Sequence, residues 1–415
     1  MSSPTFYKQT YRTRKKFVYY IVISLIIFGL VVLHVVFVTK NAQVVVPQSV
    51  YPQGNLFPLG LYSIHLSDEM WMVRRKGWNI VHRYQFTPSF LKTAAESQVF
   101  ALASLPGESE PLPEAQAAQT ISNLARSDRV VWWDFPEERR YWEKGEMALV
   151  TNYATWTRKY DPKKRPNYMY IPGHYTAEDV KQYVPYLDII PASVYTTYVN
   201  MPHAWVRWRI ETTLKGIHLA HADIGSDYLH GKKTPVAVLE LFYEGGKSIM
   251  TSQGAYHDFW QSIVSGARGI LIFSYWHKRD HPSLDSVWQT YNRAAQQITG
   301  PDQLGSVILH GKELRNVRFE ITTGPQQTSQ FKFNDMAQPI SFPSVNFLTK
   351  VWNNNIYVIA VNSTQEPVVG KFIGLPPKAK QATVLFENNV VPVTDGTFNT
   401  RFASLGVHIF KILSL

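Results

Sequence analysis

Cysteine is absent from the 415 residues of this chain. Disulfides, thiolate nucleophiles and cysteine-rich metal sites are thereby excluded. An exported domain without thiols suits a bacterial periplasm or cell surface better than a disulfide-building secretory route. Several catalytic signatures are missing too. There is no G-x-S-x-G elbow, no H-E-x-x-H pair and no glycine-rich run with phosphate-binding spacing, so the serine-hydrolase, zinc-protease and nucleotide-binding readings fall away. His277, Asp280 and His281 are close in sequence but lack a ligand spacing, and the reading includes no metal and no cofactor. No self-similar repeat marks a solenoid or propeller.

Long apolar runs are scarce as well, with one exception. Phe17 to Val38 is almost unbroken, diluted only by Ser24, Gly29 and His34, and is long enough to cross a hydrocarbon core of about 30 Å as one helix. Lys8, Arg12, Arg14, Lys15 and Lys16 precede it without an acid, and Lys40 stands alone after it. That asymmetry keeps residues 1–16 in the cytoplasm and puts the rest beyond the inner membrane, in the periplasm or outside the cell. A cleaved signal peptide is the alternative, but the run exceeds the usual h-region and no small-x-small site follows it. The expectation is an uncleaved single-pass anchor over 17–38 and a Val-, Gln- and Pro-rich stalk over 39–54. The net charge of +11 does not require a nucleic-acid partner, because six of those charges are the bases flanking the anchor. Patches such as Lys159 to Arg165 and Lys232-Lys233 are short, carry at most one aromatic and read as solvated loops rather than as a site for an acidic polysaccharide.

Beyond the stalk, short apolar runs recur at Leu59 to Ile64, Trp78 to Arg83, Val99 to Ser104, Val130 to Trp133, Tyr168 to Ile171, Leu187 to Ala192, Val236 to Glu240 and Gly269 to Tyr275. Helix signals separate them, among them the Ala-rich stretch Glu114 to Arg126 and the capping box Thr176-Ala177-Glu178-Asp179. Eight such units over about 240 residues predict a (β/α)8 barrel spanning 55–303, rather than a doubly wound open sheet. From residue 304 to 415 the pattern changes. Alternating segments at Val317 to Thr322, Asn355 to Val361, Gln381 to Phe386 and Val407 to Ile412 predict an antiparallel β-sandwich.

The stretch Val130-Val131-Trp132-Trp133-Asp134-Phe135-Pro136-Glu137-Glu138 ends a buried run in aromatics and carboxylates. Asp134 sits where the fourth strand ends, and Glu137 follows behind a stiffening proline. Glu138 is a candidate substrate contact, and the alternative for the Glu137-Glu138 pair is a helix start, where acids favour the dipole. Glu240 directly follows the apolar run of the seventh strand and competes with Glu244 in the Tyr243-Glu244-Gly245-Gly246 loop. Its structural alternative is a buried carboxylate paired with Arg83 or another base. Glycosidic bonds break through an oxocarbenium-like transition state, which needs one protonated and one ionised carboxyl. Carboxylates ending strands 4 and 7 face each other across a barrel mouth, so Asp134, Glu137 and Glu240 are the candidate catalytic groups. Aromatic rings near strand ends supply stacking platforms for the apolar faces of sugars: Tyr195, Tyr243, Trp276 and Trp133, although strand alternation lets only one of Trp132 and Trp133 face the interior. His82, Arg83, His174 and His277 lie at barrel-top positions and are candidate sugar-hydroxyl ligands.

The acidic cluster after strand 4, the Glu ending strand 7, Gly266-Ala267-Arg268-Gly269-Ile270 leading into strand 8 and the trailing sandwich together resemble the TIM-barrel glycoside hydrolases over residues 55–415. In the large retaining clan of those enzymes the acid/base Glu ends strand 4 and the nucleophilic Glu ends strand 7. The resemblance carries these roles to the Asp134/Glu137/Glu138 cluster and to Glu240. One departure is visible: that clan places Asn before the strand-4 Glu, whereas Trp133 precedes Asp134 and Pro136 precedes Glu137 here. The resemblance implies a membrane-anchored glycosidase, or a transglycosylase using the same carboxylates, acting on a surface or exported polysaccharide. The departure leaves open a catalytically inactive glycan-binding or scaffolding subunit of a polysaccharide synthase or exporter complex.

Overall fold

A computed structural model describes residues 49–84, 86–107, 112–245, 248–334 and 336–413. Strands β1 (Leu59–Leu61), β2 (Ile80–Arg83), β3 (Phe100–Ser104), β4 (Val130–Asp134), β5 (Asn167–Tyr168), β6 (Ile189–Val194), β7 (Thr234–Glu240) and β8 (Ile270–Phe273) form a closed parallel barrel in sequence order. Closure is direct: β8 pairs with β1 in the register Leu59↔Ile270 to Leu61↔Ile272. All eight apolar runs therefore become barrel strands, and the doubly wound alternative is excluded.

The period of two along each strand sorts side chains into two layers. Ile80, Leu102, Tyr168, Val236, Val238 and Leu271 pack together in the lumen, whereas Val81, Ala101, Ala103, Ala237 and Leu239 join the core under the surrounding helices. Strand β4 breaks the alternation. The β3–β4 register shifts between Ala101↔Val130 and Leu102↔Trp132, so Val131 and Trp132 both belong to the lumen cluster. Alternation then resumes with Trp133 outside and Asp134 inside. The Trp133 indole N–H donates to Asp161 Oδ2 at 3.0 Å, and Asp161 is itself paired with buried Arg165 at 2.8 Å. Trp133 is thus a core residue behind the barrel, which corrects its assignment as a sugar platform.

The helices start where capping chemistry places them. Thr176 accepts from the Asp179 N–H, and Asp179 Oδ2 accepts from the Thr176 N–H at 2.7 Å, closing the expected capping box at the start of the helix Ala177–Tyr183. The base of the barrel is closed by the end of the segment read as a stalk. Val50 is fully buried within the lumen cluster, and Tyr51 joins the outer core. The apolar run Phe17 to Val38 lies outside the described residues. Among the described residues no helix is long and apolar enough to cross a membrane.

After the barrel come a three-stranded antiparallel sheet, β10 (Arg318–Thr323), β13 (Val368–Ile373) and β16 (Phe398–Phe402), and a six-stranded one. The latter runs in the order β15 (Asn389–Pro392), β14 (Gln381–Val384), β17 (Val407–Leu413), β12 (Asn355–Asn362), β11 (Val345–Trp352), β9 (Lys312–Glu313). Alternation on β12 decides the contacts of both faces. Ile356, Val358 and Ala360 enter the sandwich core with Phe372, Phe398 and Phe410, while Tyr357, Ile359 and Val361 join the barrel's helical layer. The two parts therefore share one continuous apolar contact.

Trp133→Ala empties a fully buried site and leaves Asp161 without one of its donors. Losses for buried Trp→Ala run at about 3–5 kcal/mol, and chemical denaturation of the variant is expected to show a loss of that order.

Candidate active site

The upper lumen is built from tyrosines. Tyr62, one residue beyond β1, and Tyr168 on β5 meet hydroxyl to hydroxyl across the barrel at 2.5 Å. Tyr170 stacks on Tyr195 with centroids 6.1 Å apart and shares a 2.6 Å hydrogen bond with Ser193. Phe273 packs against both Tyr62 and Tyr195. Burial raises the pKa of Tyr62, Tyr168 and Tyr195, so these phenols stay neutral donors at any working pH.

Asp134 reaches this layer from β4 and is only 2% exposed. His82 Nε2 lies 3.0 Å from its Oδ2, and the Ser104 hydroxyl donates to the same oxygen at 2.9 Å. His82 Nε2 also approaches Ser104 Oγ at 2.8 Å, so β2, β3 and β4 each add one member to a closed triangle. Among the described residues Asp134 Oδ1 and His82 Nδ1 are buried without a hydrogen-bond partner, which costs free energy unless another group meets them. The ring of His82 is wedged between Tyr62, at 4.4 Å, and Tyr84, at 4.6 Å edge-on.

Glu137 lies above this triangle. It is half-buried, and its two oxygens accept from the Tyr84 hydroxyl at 3.0 and 3.2 Å. Burial pushes the Glu137 carboxyl up to about 8; the Asp134 charge adds to the rise and the Tyr84 hydrogen bond opposes it. A carboxyl in that state is a proton donor at neutral pH beside a charged neighbour, which is the division of labour that acid-assisted bond cleavage needs. Glu138, next along the chain, is exposed and adopts φ 55°, so it belongs to no helical turn.

Glu240 ends β7 and is buried. Its oxygens accept the backbone N–H groups of Thr197, at 2.9 Å, and Tyr198, at 3.1 Å. Burial pushes it up to about 7, against those hydrogen bonds, with a further rise from the Asp258 charge. Its partners are main-chain donors just past β6, not the Arg83 considered from sequence. Arg83 is half-buried at the end of β2, where its charge lowers the His65 pKa after burial has done so. Asp134 and Glu137 thus share one electrostatic site, while the contacts of Glu240 run to the β6 side of the rim.

Other expected contacts divide. Tyr195 forms part of the floor, as its stacking shows. Phe242 leans on Tyr195 at 5.1 Å and on His277 at 5.9 Å, and Trp276 stands edge-on to His277 while 40% exposed. Burial and the neighbouring His281 lower the His277 pKa. Tyr243 packs edge-on to His281 at 5.8 Å. His174 is exposed and rests on Tyr175 at 4.9 Å. Sequence reasoning missed Tyr62, Tyr84, Ser104, Tyr168 and Tyr170. The alternation Tyr168-Met169-Tyr170-Ile171 carried a signal, since it turns Tyr168 and Tyr170 into the lumen cluster and Met169 and Ile171 outward, along β5 and the residues just after it.

No protein-family model matches this chain, and no curated protein matches it. Solved structures do. A glycoside hydrolase is similar over 87% of this chain and 93% of its own, with a TM-score of 0.51 at 12% identity. The β-galactosidase from Bacillus circulans sp. alkalophilus reaches a TM-score of 0.56 at 7% identity, covering 87% of this chain and 99% of that one. The noncanonic maltogenic α-amylase AmyB from Thermotoga neapolitana gives 0.50 at 10% identity, with coverages of 86% and 99%. These likenesses show the fold, an eight-stranded parallel barrel followed by a β-sandwich.

The raised Glu137 pKa has a stability consequence. Between the ordinary carboxyl value and about 8 the folded chain binds a proton that the unfolded chain has released, so this group makes stability fall as pH rises through that window. Glu137→Gln is expected to flatten that slope in denaturation curves taken from pH 5 to 9 and to be more stable than the parent at pH 8. Tyr84→Phe, which removes the opposing hydrogen bond, is expected to raise the Glu137 pKa further, read by the carboxyl stretch in infrared difference spectra.

Proposed function

We propose that this chain is a membrane-anchored glycoside hydrolase acting on a surface or exported polysaccharide, with its domains beyond the inner membrane. The observation that supports this most directly is the Asp134–Glu137 pair: one carboxyl is held protonated near neutral pH by burial and by its charged neighbour, in a mouth floored by aromatic rings. In this reading Glu137 gives its proton to the glycosidic oxygen as the bond breaks. Asp134, oriented by His82 and Ser104 with Oδ1 unengaged, supplies the ionised oxygen for the sugar or for the attacking water. Tyr84 holds Glu137 in place, and Tyr195, Phe242 and Trp276 offer apolar faces for sugar rings. Glu240 is a further carboxyl at the same face of the barrel, and transfer of the glycosyl unit to a sugar hydroxyl would use the same groups.

The anchor belongs to this proposal. The run Phe17 to Val38 and its basic flank favour a single span with the N-terminus in the cytoplasm, which would hold the barrel close to a polysaccharide synthase or exporter.

Incubating a fragment that starts at Ser49 with a panel of bacterial and plant polysaccharides tests the activity. One polymer is expected to be cut, with a basic limb near pH 8 in the rate profile. Glu137→Gln and Asp134→Asn are each expected to lower kcat by about 10²- to 10⁴-fold, while Glu240→Gln shows whether the β7 carboxylate takes part. A polymer that is bound but never cut would move the assignment to a glycan-binding subunit. The full chain is expected in the membrane fraction and the Ser49 fragment in the soluble one.

A further inference from the structure

A cluster of titratable side chains lies apart from the Asp134–Glu137 mouth, between the loop after β6 and the helix Ser252–Val264. His203 Nδ1 and His257 Nδ1 approach the same oxygen, Asp258 Oδ1, at 2.7 and 2.8 Å. The Thr196 hydroxyl donates to the other carboxylate oxygen at 2.7 Å, which fixes the plane of the group. His257 and Asp258 are fully buried, and His203 is partly buried with its side chain 17% exposed. Potential ligand atoms of the three residues all lie within 4.8 Å of one another.

The hydrogen bonds behind His257 decide its tautomer. Ser363 Oγ, from the sandwich, donates to Gln261 Oε1 at 3.0 Å, an oxygen that can only accept. Gln261 in turn uses its amide N–H to donate to Ser265 at 2.8 Å. With the Gln261 amide in this orientation, Ser363 offers a lone pair to His257 Nε2 at 2.9 Å, which puts the hydrogen on Nε2. That leaves the Nδ1 lone pair of a neutral His257 facing a carboxylate oxygen at 2.8 Å in a buried site. Two such lone pairs repel unless a cation lies between them.

We propose that His203, His257 and Asp258 bind one divalent transition-metal ion of the zinc class through the two Nδ1 atoms and the Asp258 carboxylate. Two imidazoles and one carboxylate suit such an ion and disfavour calcium or magnesium, which take oxygen ligands. An N–H donor on the far side of a ligating histidine is the usual outer-shell arrangement, and the His257–Ser363–Gln261 chain provides it. Ligand bonds of about 2.0–2.1 Å in a tetrahedral site separate ligand atoms by about 3.3 Å, so the cluster opens by roughly half an ångström when loaded. His203 sits on a loop and can supply that movement. Its ring lies against Gly254, where an added Cβ would come within 2.5 Å of Cε1. Loading releases the Nδ1 proton that His203 donates to Asp258. The site stands independently of the glycosidase reading, because binding is measured without any sugar.

Full-length, tag-free protein in detergent, stripped with a chelator and dialysed, is titrated with ZnCl2 against a chromophoric chelator, and separately with CoCl2 while the visible spectrum is followed. One equivalent of Zn2+ is expected, with d–d bands of low-symmetry Co2+. His203→Ala and Asp258→Asn are expected to weaken binding more than about 100-fold, and Ser363→Ala, which keeps every ligand, by about 10-fold. Near-UV circular dichroism confirms that each variant is folded, and His203→Gln on the loop serves if Asp258→Asn is not. Absence of a stoichiometric site, or equal binding by folded His203 and Asp258 variants, overturns the proposal and identifies the cluster as a proton-bearing hydrogen-bond network.

Discussion

Two neighbouring carboxyls, one buried at the end of β4 and one half-buried just beyond it, cannot both ionise cheaply. Asp134 is met by His82 and Ser104, and Glu137, met by the Tyr84 phenol, is pushed up to about 8 by burial and by the Asp134 charge. The rest of the mouth depends on this asymmetry. Remove the Asp134 charge and part of the reason for the Glu137 shift disappears; open the mouth to water and the larger part goes.

The barrel supplies the low dielectric. Eight short strands leave a lumen just wide enough to fill with side chains, and here its upper layer is phenolic. Tyrosines suit that position because each ring fills volume while its hydroxyl satisfies a neighbour, as Tyr62 does with Tyr168 and Tyr170 with Ser193. The sandwich acts on the other side of the wall. It presses Tyr357, Ile359 and Val361 onto the helical layer and sends Ser363 into hydrogen bonding with His257.

The rim between β6 and β7 follows a different physical rule from the mouth. Glu240 accepts from two main-chain N–H groups, those of Thr197 and Tyr198 in the turn just past β6. One residue earlier, Thr196 orients Asp258. Two adjacent threonines therefore tie Glu240 and the histidine cluster to the same turn of chain.

Much of this architecture is legible in the amino-acid sequence, because it is local or periodic. Eight apolar runs alternating with capped helices specify a barrel, and alternating runs after residue 304 specify sheets, since a period of two must bury one face. The carboxylates at strand ends were legible for the same reason. What the sequence by itself could not determine is which face each residue of β4 occupies. Plain alternation from Val131 would turn Trp133 inward and Asp134 outward; the register shift against β3 reverses both. That shift, like the meeting of His203 with Asp258 or of Ser363 with His257, arises from packing between segments far apart in the chain. Strand and helix periods are properties of a few neighbouring residues, whereas the register and the partners of a buried polar group are decided only when the whole barrel closes.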